Sequence, residues 1–139
     1  MPKEVRAKRV SAVQSRAYLA KAVEFLDAAR DSLEGGRTIA ATSLAVHAGI
    51  KSADAITVAR MGQRAAGPGH DQAVQLLGQA GPEGKKAAAS LRRLLPLKTR
   101  AEYDPDDVPK ATAARAVSWA EKAVAIARQV VESVPARKR

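Results

Sequence analysis

Apolar residues recur along the chain at steps of three and four, the spacing that places side chains on one face of an α-helix. The first stretch with this pattern predicts a helix that begins within the N-terminal basic segment and runs to Leu33. It ends at Gly35-Gly36, because glycine adopts the left-handed conformation of a helix C-terminus at little cost. Its apolar positions are Leu19, Val23, Leu26 and Leu33.

The second apolar stretch is the longest. It predicts a helix from Thr38, as its N-cap, to about Ala66, where the sequence GPG stops it. Between residues 39 and 59 its only charged side chains are Lys51 and Asp54. A helix that is apolar on nearly every side is expected at the centre of a bundle.

Two further helices follow. The segment HDQAVQLLGQA predicts a short third helix that begins with His70 or Asp71 as its cap and is closed by GPEG. A fourth helix starts near Glu83, and Pro96 is expected to kink or break it, which leaves LKTRAEY as a separate turn or an offset continuation. The inward seam of this fourth helix consists of Ala87, Leu91, Leu94 and Leu95.

The last stretch has apolar residues at alternating steps of four and three from Ala113 to Val134, which predicts one long packing helix. Asp106 and Asp107 are expected to cap it, with Pro109 in its first turn. Alanine is abundant and runs of β-branched residues are missing, so helix propensity dominates throughout. We therefore expect an all-α fold, an up-and-down antiparallel bundle of four to five helices.

At 139 residues the chain has the size of one domain. The pattern divides it into a basic N-terminal extension at 1–16, expected to be helical, a bundle at 17–134, and a basic tail at 135–139. The net charge of +10 is concentrated in the extension, in the tail, and between Glu83 and Arg100, where six basic residues stand against one acidic residue.

Such basic patches attract polyanions through counterion release, although basic tails that merely keep a small protein soluble are an equal alternative. On the fourth helix the cations lie around the circumference that the apolar seam leaves open. We take four of them as candidates for nucleic-acid binding: Lys85, Lys86, Arg92 and Arg93.

Composition excludes several classes of site. The absence of cysteine excludes disulfides, thiolate zinc sites and a thiol nucleophile. The N-terminus lacks the apolar core of a signal peptide, and no apolar run approaches the ~20 residues of a membrane span, so we expect a cytoplasmic protein without membrane contact. Walker, GxGxxG, HExxH and EF-hand patterns are absent from the sequence, and we expect neither a metal nor a cofactor.

A polar stripe on the second helix is one candidate site. Ser43, His47, Lys51 and Asp54 share one side of it, at steps of four, four and three. Polar groups on an apolar helix are either paired inside the bundle or open to a cleft. We favour pairing of Lys51 with Asp54 or with neighbouring helices, and keep a binding cleft as the alternative.

Arg64 and His70, with five residues between them, are the second candidate. An imidazole can accept the 2′-hydroxyl proton of RNA while a guanidinium holds the scissile phosphate, so the pair is chemically sufficient for cleavage without a metal. In the structural interpretation, which we favour, Arg64 closes the second helix and His70 opens the third.

The long apolar helix AATSLAVHAGIKSADAITVAR, the Gly-rich break, the short helix opened by a histidine, and LLPLKTRAEYDPDD before a long last helix together resemble the HEPN domain family. The resemblance covers about residues 19–134. It implies an up-and-down bundle, homodimerisation and association with nucleotides or RNA. It also implies action beside a minimal nucleotidyltransferase in toxin–antitoxin pairs or other defence systems.

Many catalytic members of that family are metal-independent ribonucleases with an arginine, four to six residues and then a histidine late in the bundle. Here the late arginine is Arg100, but Ala101–Asp104 follow and no histidine lies beyond His70. The resemblance therefore favours a module that binds without cutting. Its candidate ligand-binding residues are His47, Lys51, Asp54, Arg100 and Tyr103.

Three functions remain open at this point. The first is a homodimeric, non-catalytic module that binds a nucleotide, RNA or a partner protein. The second is a metal-independent ribonuclease that uses His70 with Arg64, or His47 with Arg100 if folding brings them together. The third is a structural or antitoxin-like protein whose exposed helix face docks on another protein.

Overall fold

The structure is a computed structural model that describes residues 6–66 and 70–135. Within these ranges five α-helices make up the bundle, as the sequence predicts. They are α1 (Ser15–Glu34), α2 (Thr38–Met61), α3 (Asp71–Leu77), α4 (Gly81–Glu102) and α5 (Lys110–Glu132). Two strands, β1 (Ala7–Arg9) and β2 (Gln63–Ala65), and a 3₁₀ turn at Ala12–Gln14 complete the described elements.

The central position predicted for α2 is confirmed, because it packs against α1, α3, α4 and α5. Small side chains make this possible, since they let helix backbones approach closely. The fully buried alanines of α2 include Ala41, Ala45, Ala48 and Ala55. The seam predicted for α5 is buried from Ala113 to Val131, and Leu91 and Leu94 of α4 are buried as expected.

The N-terminal segment differs from the prediction of helix. Ala7–Arg9 is a strand that pairs antiparallel with Gln63–Ala65, and α1 begins at Ser15. Further backbone bonds join the two segments at Val10 N to Gly62 O (2.8 Å) and Ala66 N to Arg6 O (2.9 Å). The strands satisfy backbone groups that neither segment pairs alone.

The C-terminal end of α2 also differs from the prediction, because residues 63–65 form the strand that pairs with residues 7–9. The helix stops at Met61 because Gly62 adopts a left-handed conformation with φ of 63°, five residues before the GPG break. The prediction that Arg64 closes the helix is therefore wrong, since Arg64 lies on β2 opposite Lys8. His70 opens α3 as predicted, standing directly before its first residue, Asp71.

Two predictions about α4 and α5 are also corrected. Pro96 does not break α4, which continues as one helix to Glu102. Pro96 is exposed, so water can solvate the carbonyl that loses its helical partner, while buried residues continue on the opposite side. Asp106 and Asp107 do not cap α5, because the residue before that helix is Pro109 and no side chain bonds its first turn.

The GPG sequence at 67–69, the first five residues of the predicted extension and most of the predicted tail lie outside the described residues. Among the helices that are described, none combines the length and the apolarity that a membrane span requires.

Candidate functional site

The solvent-facing side of α4 is basic. Lys85, Lys86, Arg92 and Arg93 are all exposed, opposite the buried residues Leu91 and Leu94. The seven-residue spacing between Lys85 and Arg92, and again between Lys86 and Arg93, keeps each pair on one line along the helix. The placement expected from the sequence is thus observed for all four side chains, which we call the basic face of α4.

Three carboxylates of α4 and α5 point away from this face and are paired elsewhere. Glu83 accepts a hydrogen bond from Arg60 of α2. Glu121 accepts two from Arg30 of α1, the shorter at 2.7 Å. Glu102 lies 3.3 Å from Lys98. Across the described ranges the four cations of the basic face consequently have no ion-pair partner.

The border between α4 and α5 adds an aromatic ring to this surface. Arg93 Cζ lies 5.7 Å from the centre of the Trp119 ring, within the range of a cation–π contact. On α4, exposed cations recur every seven residues at Lys86, Arg93 and Arg100. On α5, exposed Arg115 and Lys122 stand one turn before and one turn after Trp119.

We call this border, with the residues Lys86, Arg93, Arg100, Arg115, Trp119 and Lys122, the α4–α5 seam. The sequence patterns point to neither Trp119 nor the two cations beside it as site residues. The spacing of these three residues on α5 can be read from the sequence. The contact of Trp119 with Arg93 cannot, because it joins two helices.

A second polar group lies where α2 meets the C-terminal end of α4. His47 Nε2 is 3.8 Å from Glu102 Oε1, and Lys98 Nζ is 3.3 Å from Glu102 Oε2. Lys98 Nζ also lies 5.6 Å from the centre of the Tyr103 ring. The fold therefore links the predicted site residues His47 and Tyr103, through a lysine and a glutamate that the sequence analysis did not select. The i, i+4 spacing of Lys98 and Glu102 was the available signal.

His70 lies beside this group and beside the basic face. It lines an open pocket of about 470 Å³ together with Arg92 and Pro96 of α4. Burial lowers the pKa of His70, and the charges of Lys98 and His47 lower it further. The lowered pKa favours the neutral imidazole.

Lys51 and Asp54 form a separate pair on α2. Asp54 is buried, and its Oδ2 is 3.9 Å from Lys51 Nζ. Burial raises the pKa of Asp54, and the positive charges of Lys51 and Arg64 oppose that effect. The geometry matches the structural interpretation in which these two residues pair, with Arg64 as a further countercharge.

Comparison with known families agrees with this architecture. The sequence model of the HEPN domain matches residues 15–137, which is most of the chain. The protein belongs to the HEPN domain family. No curated protein has significant sequence similarity to it.

The charged groups that act on Arg64 and on His70 differ. Arg64 acts on the buried carboxylate of Asp54, whereas the charges that shift the pKa of His70 belong to other residues. Arg100 is exposed and two positions before Glu102, hence about 200° around the helix from the side chain that reaches His47.

Arg100 therefore points away from His47, whereas β2, the strand that holds Arg64, contacts α3, the helix that His70 opens. The described residues also contain no group of three or more His, Asp or Glu side chains placed to hold a metal ion.

Proposed function

We propose that this HEPN-domain protein binds RNA through the basic face of α4 and does not cleave it. The observation that carries the proposal is the direction of the carboxylates. Glu83, Glu102 and Glu121 pair with residues of other faces or of their own helix, so the basic face offers Lys85, Lys86, Arg92 and Arg93 to a polyanion without internal competition. Cations that neutralise phosphates release condensed counterions, which drives binding at low salt.

Charge reversal tests this proposal. In the fourfold variant K85E/K86E/R92E/R93E, we expect the affinity for fluorescently labelled RNA to fall at least tenfold at low salt. The slope of log affinity against log salt should also become shallower, by roughly one for each phosphate that the variant no longer neutralises. Fluorescence anisotropy at two or more salt concentrations measures both quantities.

A matched control separates the basic face from the net charge of the whole protein. The variant K21E/R37E/K110E/R128E reverses four exposed cations on other surfaces and changes the net charge equally. It should keep most of the affinity. Equal losses in the two variants, or unchanged affinity after reversal of the basic face, would contradict the proposed interface.

The absence of cleavage is a separate part of the proposal. It is supported by the lack of a histidine after Arg100 and by the position of Arg100 on α4, about 200° around the helix from the Glu102 side chain that reaches His47. Labelled RNA incubated with the protein and excess EDTA should stay intact. Cleavage that persists in EDTA and disappears in His70→Ala would establish a ribonuclease instead.

We also propose that the protein is a homodimer, as the family resemblance implies. Light scattering should give twice the mass of one chain. The same measurement after addition of a minimal nucleotidyltransferase tests the alternative of a protein-binding partner. A stable complex with that enzyme, combined with no affinity for RNA, would show that the protein binds a partner protein and not RNA.

A further inference from the structure

We propose that the α4–α5 seam recognises unpaired nucleotides, because one base stacks on the Arg93 guanidinium that Trp119 supports from behind. This inference rests on the proposed RNA binding and goes beyond it. The basic face explains attraction to any polyanion, whereas the seam distinguishes single strands from duplexes.

The Arg93 guanidinium offers a planar surface for a base. Arg93 is exposed, and its Cζ lies 5.7 Å from the centre of the half-buried Trp119 ring. The guanidinium thus lies beside the indole and remains accessible to solvent. Guanidinium planes stack on nucleobases, which an ammonium group cannot do.

The contact with Trp119 also preorganises the Arg93 side chain. A free arginine side chain loses rotamer freedom when it is fixed in a complex, and that loss weakens binding. Contact with Trp119 restricts Arg93 before RNA arrives. Arg92, the neighbouring exposed arginine, has no described aromatic contact and points instead towards the His70 pocket.

Exposed cations lie on both helices around the stacking position. Lys86 and Arg100 are each seven residues from Arg93, which is about 10 Å along the helix. Arg115 and Lys122 flank Trp119 on α5 at one turn in either direction. A nucleotide stacked at Arg93 therefore has cations before and after it to hold its neighbouring phosphates.

The consequence is selectivity for strand state. A base can reach Arg93 only after it leaves a duplex stack, whereas the phosphates of a duplex can still contact the surrounding cations. Single-stranded RNA should bind more tightly than duplex RNA of the same length. The difference should reside in Arg93 rather than in the net charge.

A conservative substitution tests this selectivity. Arg93→Lys keeps the positive charge and removes the stacking plane, and Arg128→Lys makes the same change at an exposed position on another surface. For a short oligouridylate we expect Arg93→Lys to lower the affinity roughly tenfold, the effect of about one stacked base. Arg128→Lys should leave it within twofold, and Arg93→Lys should lower the affinity for duplex RNA much less than the affinity for the oligouridylate.

The protein supplies its own probe, because Trp119 is the only tryptophan in the sequence. Oligouridylate should change the intrinsic fluorescence of the wild-type protein as a base stacks onto the Arg93–Trp119 pair. Inorganic polyphosphate, which has charge but no bases, should bind with a much smaller fluorescence change. Thermal unfolding of both lysine variants checks that the fold is unchanged.

The outcomes separate the two proposals. Equal affinity of single-stranded and duplex RNA, or an Arg93→Lys variant that behaves like Arg128→Lys, overturns the α4–α5 seam as a stacking site while general RNA binding stands. Failure of the wild-type protein to bind any RNA at low salt overturns the proposed function, and the seam with it.

Discussion

At the scale of single residues, Asp54 shows that a charge can be retained inside the bundle at a cost in stability. Burial raises its pKa above the ordinary 3.8, and Lys51 and Arg64 only partly offset that effect. Since the folded state holds the proton more tightly than the unfolded state, Asp54 favours folding below pH 3.8. That contribution is lost as the pH rises through the folded-state pKa.

Asp54→Asn should therefore unfold at a higher urea concentration than the wild-type protein at neutral pH, because the amide never ionises. The advantage should shrink and disappear as the pH falls towards 3.8. Asp31→Asn, which removes an exposed carboxylate of α1, is the matched control and should show little pH-dependent difference. A variant less stable than wild type at neutral pH would mean that the attraction of Lys51 and Arg64 outweighs burial.

At the scale of elements, the packing of α3 against the first turn of α4 depends on Gly84. A Cβ atom at this position would collide with the carbonyl oxygen of Leu77 and with the Ala80 side chain. The oxygen belongs to the backbone of α3, so relief requires the helix itself to move. Gly84→Ala should consequently destabilise the protein by about 2–3 kcal/mol, in the upper range for overpacking.

Gly78 provides the comparison, because a Cβ there meets its nearest atoms at 3.5 Å, an ordinary contact, and its φ of −62° suits alanine. Gly78→Ala should be neutral or stabilising by up to about 1 kcal/mol. Urea unfolding of both variants measures the difference. Similar stabilities would show that α3 shifts freely and is not held by this contact.

The elements also show what a sequence pattern can and cannot predict. The periodicity of apolar residues identified α1, α2, α4 and α5 and the exposed position of Arg92 and Arg93, because those features depend on helix geometry alone. The early end of α2 depends on the backbone conformation of Gly62 and on a strand formed with residues 7–9, which are distant in sequence. Such pairing leaves no local signal in three residues.

The candidate site follows the same division. The basic face of α4 was predicted from one helix. The Arg93–Trp119 contact and the link from His47 through Glu102 to Lys98 each join two helices, and only their packing reveals them. The combinations of Arg64 with His70 and of Arg100 with His47, kept for the alternative ribonuclease function, rest on residue type and spacing, which do not determine direction in space.

At the scale of the whole molecule, the net charge of +10 affects stability as well as the proposed RNA binding. Like charges repel in the compact state, and the repulsion is strongest where cations are close together without carboxylates between them. The basic face of α4 is such a place, since its neighbouring carboxylates are paired elsewhere. RNA binding would relieve that repulsion, and salt screens it.

The K85E/K86E/R92E/R93E variant should therefore be more stable than the wild-type protein at low salt while it binds RNA more weakly. We expect a rise in Tm of about 3–6 °C, equivalent to roughly 1 kcal/mol in a domain of this size, and a smaller rise at high salt. The control variant K21E/R37E/K110E/R128E lowers the net charge equally but removes more scattered cations, so its gain should be smaller. If the control gains as much, the repulsion comes from total charge rather than from the basic face. If K85E/K86E/R92E/R93E instead loses stability at low salt, the four cations that it replaces stabilise the fold.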